Sequence, residues 1–201
     1  FVDSLGDIYI VDGGNYRVVK WESGATEGVV VAGGNGRGSE LNKFSAPWGI
    51  YLDSSKNIYV TDDFNNRVMK WAPGATEGKV VAGGNGDGSA LNQLIGAGGL
   101  FVDSSENIYV CDMQNNRVMK WAPDANQGVV LAGGNGQGSG LNQLNFPFDI
   151  SLDSLENIYI ADWLNNRVMK WAPGANEGVV VAGGNGRGSE SSQINRPTAV
   201  H

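Results

Sequence analysis

The sequence predicts an all-β protein, a β-propeller of four-stranded antiparallel blades, and two observations predict it. Tryptophan recurs at Trp21, Trp71, Trp121 and Trp171, a constant step of 50 residues, and the words around it recur with it. Within each step, short runs alternate apolar and polar residues, are rich in β-branched and aromatic side chains, and stop at Gly, Pro, Asn or Asp. No unit carries a helical period with caps. The units run 1–50, 51–100, 101–150 and 151–200, in one domain over 1–201, and a fifth unit starts at 197–201.

The second unit shows the elements most clearly. Gly49 to Asp53 is a short apolar strand, and Ser54 to Lys56 a polar turn. Asn57 to Asp62 alternates as a strand, Asp63 to Asn66 is a polar knot, and Arg67 to Trp71 resumes the alternation, which makes a β-hairpin. Ala72 to Gly78 is a loop, because Pro73 has no N–H for a ladder and the glycines tolerate positive φ. Lys79 to Ala82 is the fourth strand, and Gly83 to Ser89 opens a long connection that runs to Gly98. Four strands joined by tight turns, repeated every roughly 40 to 50 residues, are the pattern of propeller blades, which bury their core between neighbours.

Composition narrows the function classes. The net charge is −7, the sequence pI is near 4.6, and there is no run of Lys or Arg. Nucleic acid and anionic membrane surfaces both call for a cationic footprint, so neither is expected as a partner. No apolar run reaches membrane-spanning length and no charged-then-apolar leader opens the sequence. Phe1 stands first in place of Met, which reads as a segment of something longer or as a chain whose leader has been removed. Cys111 is the one cysteine, in the register of Val11, Thr61 and Ala161 at a strand end, and reads as a packed thiol.

The run Ile58-Tyr59-Val60-x-Asp62 followed by Asn65-Asn66-Arg67-Val68, preceded by Leu52-Asp53 and by Pro47-Trp48-Gly49, resembles the NHL repeat. The resemblance covers all four units. Asn65-Asn66 stands in place of the family's Asn-His dipeptide, a departure confined to a turn. The resemblance implies a ring of six blades and an extracellular, secreted setting. It also brings a rival, since the NHL-like amidating lyases use histidine-ligated metal in the central channel. Here His201 is the single histidine, so three-His zinc ligation is not available within these residues, and no nucleophile elbow is present. The chain therefore reads as non-catalytic, with no catalytic residues and no metal or other cofactor. RNA binding, known for some NHL proteins, would require a basic face that this sequence lacks.

Pro197 to Val200 is in the register of Pro47 to Ile50, the inner-strand start that the first unit lacks. That match predicts either a larger ring or copies joined head to tail through shared blades, a homo-oligomer built on incomplete terminal blades. A free four-blade arc would leave two apolar blade faces uncovered.

Several repeated positions invite a chemical reading. Asp12 with Arg17, Asp62 with Arg67, Asp112 with Arg117 and Asp162 with Arg167 sit at the two ends of the hairpin turn, as cross-strand ion pairs with hydrogen bonds to the turn backbone. Asp3, Asp53, Asp103 and Asp153 enter a turn and fit an Asx motif, with Ca2+ as the alternative that oxygen ligands permit. The Gly-Gly-Asn-Gly-x-Gly-Ser stretches, such as Gly83 to Ser89, lack the helix and lysine of a phosphate loop and read as blade connections. Trp21, Trp71, Trp121 and Trp171 read as packing, and the lysines before them as an outward, dilute ring.

In a meander the second-to-third strand turns and the blade connections emerge on one face. That face varies between units, whereas the opposite one repeats its letters. The variable tips read Gly13-Gly14, Asp63-Phe64, Met113-Gln114 and Trp163-Leu164. We therefore expect this face to bind a protein, peptide or glycan through Trp48, Phe64, Phe146, Phe148 and Trp163, with Met113, Gln114, Asp149 and Arg196 adding specificity. Packing in the gaps between blades and at the channel mouth is the competing reading, above all for Trp48 and Phe148.

Overall fold

The alternation of apolar and polar residues produces strands that pair in chain order. In the computed structural model, which describes residues 1–201, the first sheet holds β1 (Ile8–Asp12), β2 (Arg17–Trp21) and β3 (Val29–Gly33). The second holds β4 (Pro47–Leu52), β5 (Ile58–Asp62), β6 (Arg67–Trp71) and β7 (Lys79–Gly83). The third comprises β8 (Ala97–Val102), β9 (Ile108–Asp112), β10 (Arg117–Trp121) and β11 (Val129–Gly133). The fourth comprises β12 (Pro147–Leu152), β13 (Ile158–Asp162), β14 (Arg167–Trp171) and β15 (Val179–Gly183). Every pairing is antiparallel between consecutive strands, so each sheet is a meander.

The innermost strand starts at Pro47, two residues before the expected Gly49, because proline is tolerated as the first residue of a strand. Its register slips between Pro47 and Ile50, a bulge that re-aims Trp48. In the first sheet the inner strand is reduced to a bridge between Val2 and Ile8. At the other end Pro197 to Val200 forms no strand, but Val200 N donates to Asp149 Oδ2 at 3.0 Å, which lays the tail beside β12.

The hairpin turn is a single 3₁₀ turn at Gly13–Asn15, Asp63–Asn65 and Trp163–Asn165, closed by a residue in the left-handed region. Asn66, Asn116 and Asn166 take that conformation at φ 49, 53 and 52°. Asparagine tolerates it at low cost, and Tyr16 fills the same place in the first unit.

The core lies between sheets, in three clusters of the same composition. The face of one blade gives Tyr59, Val68, Ala82 and Leu94, and the next gives Val102, Ile108, Val110, Met119 and Trp121. Tyr9, Val18, Ala32 and Phe44 meet Leu52, Ile58, Val60, Met69 and Trp71 in the same way. Cys111 is fully buried in the third cluster, and burial pushes its thiol well above the usual cysteine range. Trp71, Trp121 and Trp171 are all 1% exposed, and each sits against a glycine at the start of the outer strand. A Cβ on Gly78 would stand 2.6 Å from Trp71 Cε3, so this position admits only glycine.

The two end faces have no such partner. Ile8 and Ile10 are 45% and 44% exposed, where Ile58 and Val60 are 4% and 0%. On the far end Ala182 is exposed and Ile194 half-buried, where Ala82 and Leu94 are buried.

Candidate functional site

The repeated Asp–Arg pairs do more than close a hairpin. Arg117 Nε donates to Asp112 Oδ2 at 2.6 Å, while its guanidinium also donates to the carbonyls of Ser89, Ala90 and Gln93 at 2.8, 3.1 and 3.2 Å. Those carbonyls belong to the connection arriving from the preceding blade, not to the hairpin turn, which corrects the expected partner. Arg67 and Arg167 repeat the set on Ser39, Glu40 and Lys43 and on Ser139, Gly140 and Gln143. Asp62 Oδ1 accepts from the backbone of Ser45 and Ala46, so the carboxylate grips the same connection. Arg17 stands apart: no connection precedes it, and its side chain is 39% exposed against 6% for Arg67.

The Asn-Asn dipeptide completes the clamp. Asn65 Nδ2 donates to Asp62 Oδ2 and to Gly38 O, and Asn66 Oδ1 accepts from Gly96 N of the following connection at 3.0 Å. Asn116 and Asn166 accept in the same way from Phe146 N and Arg196 N. The first Asn thus holds the blade before and the second the blade after, roles that no local spacing in the sequence reveals.

The turn aspartates are engaged by the chain itself. Asp53 Oδ1 accepts from Ser55 N and Asn57 N, and Oδ2 from Asn57 Nδ2 and Tyr59 Oη. Asp103 and Asp153 do likewise, and Asp3 pairs with Lys56. Lys20, Lys70, Lys120 and Lys170 lie over the rings of Tyr9, Tyr59, Tyr109 and Tyr159 at 5.0 to 5.9 Å, half-buried instead of projecting freely.

Backbone hydrogen bonds fix the variable tips and lead-in segments on one face: Asp63 N to Ala46 O, Met113 N to Gly96 O, Gln114 N to Ile95 O and Leu164 N to Asn145 O, at 2.9 to 3.1 Å. Four of the five aromatics meet there. Trp48 and Phe148 stand edge-to-face at 5.4 Å, Phe148 lies 5.9 Å from Trp163, and Trp163 lies 5.4 Å from Phe146. Trp48 belongs to β4 and Phe148 to β12, so the row crosses β8, where Gly98 and Gly99 leave room. A Cβ on Gly98 would lie 2.9 Å from Phe148 O, and one on Gly99 would collide with Asp149 Oδ1.

Exposure divides the expected binding residues. Trp48 and Phe64 are 57% and 64% exposed, and Gln114 and Arg196 are also exposed. Phe146, Phe148, Asp149 and Trp163 are half-buried. Met113 is a correction, since it is 8% exposed and packs in the cluster between the third and fourth blades, where the flexible thioether fills the gap over Gly98. Arg196 lies over Trp163 at 4.9 Å and Arg37 over Phe64 at 5.6 Å. Phe146 sits at φ 58°, in a region costing a bulky residue about 1–3 kcal/mol, and its N–H is held by Asn116. Burial raises the carboxyls of Asp149 and Asp63, with the charge of Asp62 adding to the latter.

No protein-family model and no curated protein matches the chain. Solved structures do. A structural-genomics protein of unknown function from Bacteroides thetaiotaomicron matches 85% of this chain and 46% of its own at 20% identity, with a TM-score of 0.69. The nidogen/laminin complex matches 86% of this chain and 57% of its own at 21% identity and a TM-score of 0.64. A streptogramin B lyase matches 98% of this chain and 54% of its own at 14% identity and a TM-score of 0.57. The chain thus spans about half the length of the structures it resembles. At such identities the likeness speaks for fold alone, and with the meander blades and the interblade cores it establishes a β-propeller.

Proposed function

We propose that the chain belongs to an NHL-type propeller serving as a non-catalytic binding scaffold, which recognises an extracellular protein, peptide or glycan through its variable face. The observation that carries this reading is the aromatic row of Trp48, Phe148, Trp163 and Phe146 on loops where its neighbours are polar, with Trp48 and Phe64 mostly exposed. The presence of a related fold in a nidogen/laminin complex supports a protein partner. The lyases among the similar structures keep a catalytic role in view, but the one histidine, His201, and the absence of a cluster of metal-binding side chains favour binding.

Peptide and glycan arrays probed with the 201-residue chain test the reading. A retained ligand should lose about tenfold or more in affinity with Trp48→Ala or Phe64→Ala while the melting temperature holds, as expected of exposed anchors. Ligands indifferent to both substitutions, or arrays that retain none, would overturn it.

A second reading rests on the uncovered end faces. Ile8 and Ile10 match the buried residues of the three interblade cores, and copies joined head to tail would cover them.

A further inference from the structure

Aromatic rings in this protein are repeatedly capped by its own cations. Lysines cover Tyr9, Tyr59, Tyr109 and Tyr159, and arginines cover Phe64 and Trp163. Trp48 and Phe148 form the face's pair with no cation from the chain, meeting at an interplanar angle of 85° with Trp48 57% exposed.

Two carboxylates flank that pair, and neither is in an ion pair. Asp149 follows Phe148 in β12, lies over Gly99, and accepts Val200 N at 3.0 Å. The charged groups near it are His201 and, on the side of Cys111, Asp112, whose charge is already matched by Arg117. Asp63 occupies the hairpin tip of the blade that carries Trp48. The repeat places these two positions side by side: in the next blade the Cβ site of Gly98 is 3.0 Å from Met113 Cγ, and in the one after it Phe148 is 5.9 Å from Trp163. Asp63 has Asp62 beside it, and that partner is committed to Arg67. Both carboxyls are raised by burial, which a positive neighbour would relieve.

We propose that this part of the mouth takes a basic side chain of a partner protein, a lysine or arginine, with its charge against the Trp48 ring and with Asp63 and Asp149 as counter-ions. The proposal deepens the reading of the variable face and rests on it. An electron-rich ring face beside uncompensated carboxylates favours a cation over a neutral sugar or an aliphatic side chain. An overall charge of −7 would draw a basic partner toward the surface before it docks.

Calorimetric titration of the 201-residue chain with an acetylated, amidated tetralysine peptide tests it. Binding should weaken by about tenfold in Trp48→Leu, which keeps apolar contact with Phe148 but removes the ring quadrupole, and by a similar factor in Asp63→Asn and Asp149→Asn. Glu27→Gln, an exposed acid far from the mouth in sequence, should leave it unchanged and so control for general acidity. Thermal melts identify a variant that fails to fold, in which case Asp63→Asn and Trp48→Leu carry the test. Tetralysine that fails to bind, or that binds wild type and all variants alike, would overturn the proposal. If array ligands still depended on Trp48 and Phe64, the broader reading of the face would stand without it.

Discussion

Asp149 is the side chain in which fold and candidate function meet. Its register partners are Gly49, Gly99 and Ala199, so it places the one carboxylate at this level of the inner strands, against a glycine that any larger residue would displace. Burial lifts its carboxyl above the ordinary carboxylate range. Between the unfolded value, about 3.9, and the raised folded one, the native chain keeps a proton that the unfolded chain has lost, so stability falls as pH rises through that window. Asp149→Asn removes this cost. Its urea midpoint should exceed that of wild type at pH 7, and the two should converge at about pH 3, where the carboxyl is protonated in both states. A variant weaker at pH 7 would mean that the hydrogen bond to Val200 depends on the charge. The sequence marked Asp149 as a residue of the varying face, but not its burial, because that arises from Gly99, 50 residues earlier in the chain. Met113 shows the converse: as a hairpin-tip residue it reads as exposed, and only the absence of a side chain at Gly98 draws it inward.

At the scale of elements, the strands and the hairpin were legible because their information is local. Register Ile58 to Trp71 and Asp62 to Arg67 follows from alternation and from the turn residues alone. The clamp was not legible, since Arg67 reaches Ser39, Glu40 and Lys43 across 24 to 28 residues and the ligands are carbonyls, which every residue has. Four units with one arginine each also behave differently according to what precedes them. Arg117→Met leaves Asp112 buried without its partner and should cost about 3–5 kcal/mol in a chemical denaturation experiment. Arg17→Met removes an ion pair that is 39% and 28% exposed and should cost about 0–1 kcal/mol. Equal losses at the two sites would show that the carbonyls of the preceding connection contribute little.

For the whole molecule, the interblade cores are the source of stability, because no blade encloses apolar residues by itself. The fifty-residue period conveyed this arrangement, as stacked units must bury flat faces against one another. The period leaves the two outermost faces open, and these carry the same kinds of residue as the buried interfaces. Sedimentation of the 201-residue chain should therefore show mass rising with concentration, and Ile10→Lys should suppress that rise with little loss of stability, as Ile10 is 44% exposed. A chain that stays monomeric at all concentrations would remove the head-to-tail reading.

The backward reach of each arginine also gives the array a direction in time. A connection is gripped only by the hairpin that comes after it, at Arg67 for residues 39–43 and at Arg117 for residues 89–93. On a ribosome, which releases the N-terminus first, every newly made connection therefore waits unlatched until about thirty further residues have emerged. Folding proceeds as a zip fastener closes, one tooth behind synthesis, and a stall between units leaves only the most recent glycine-rich segment open to proteases.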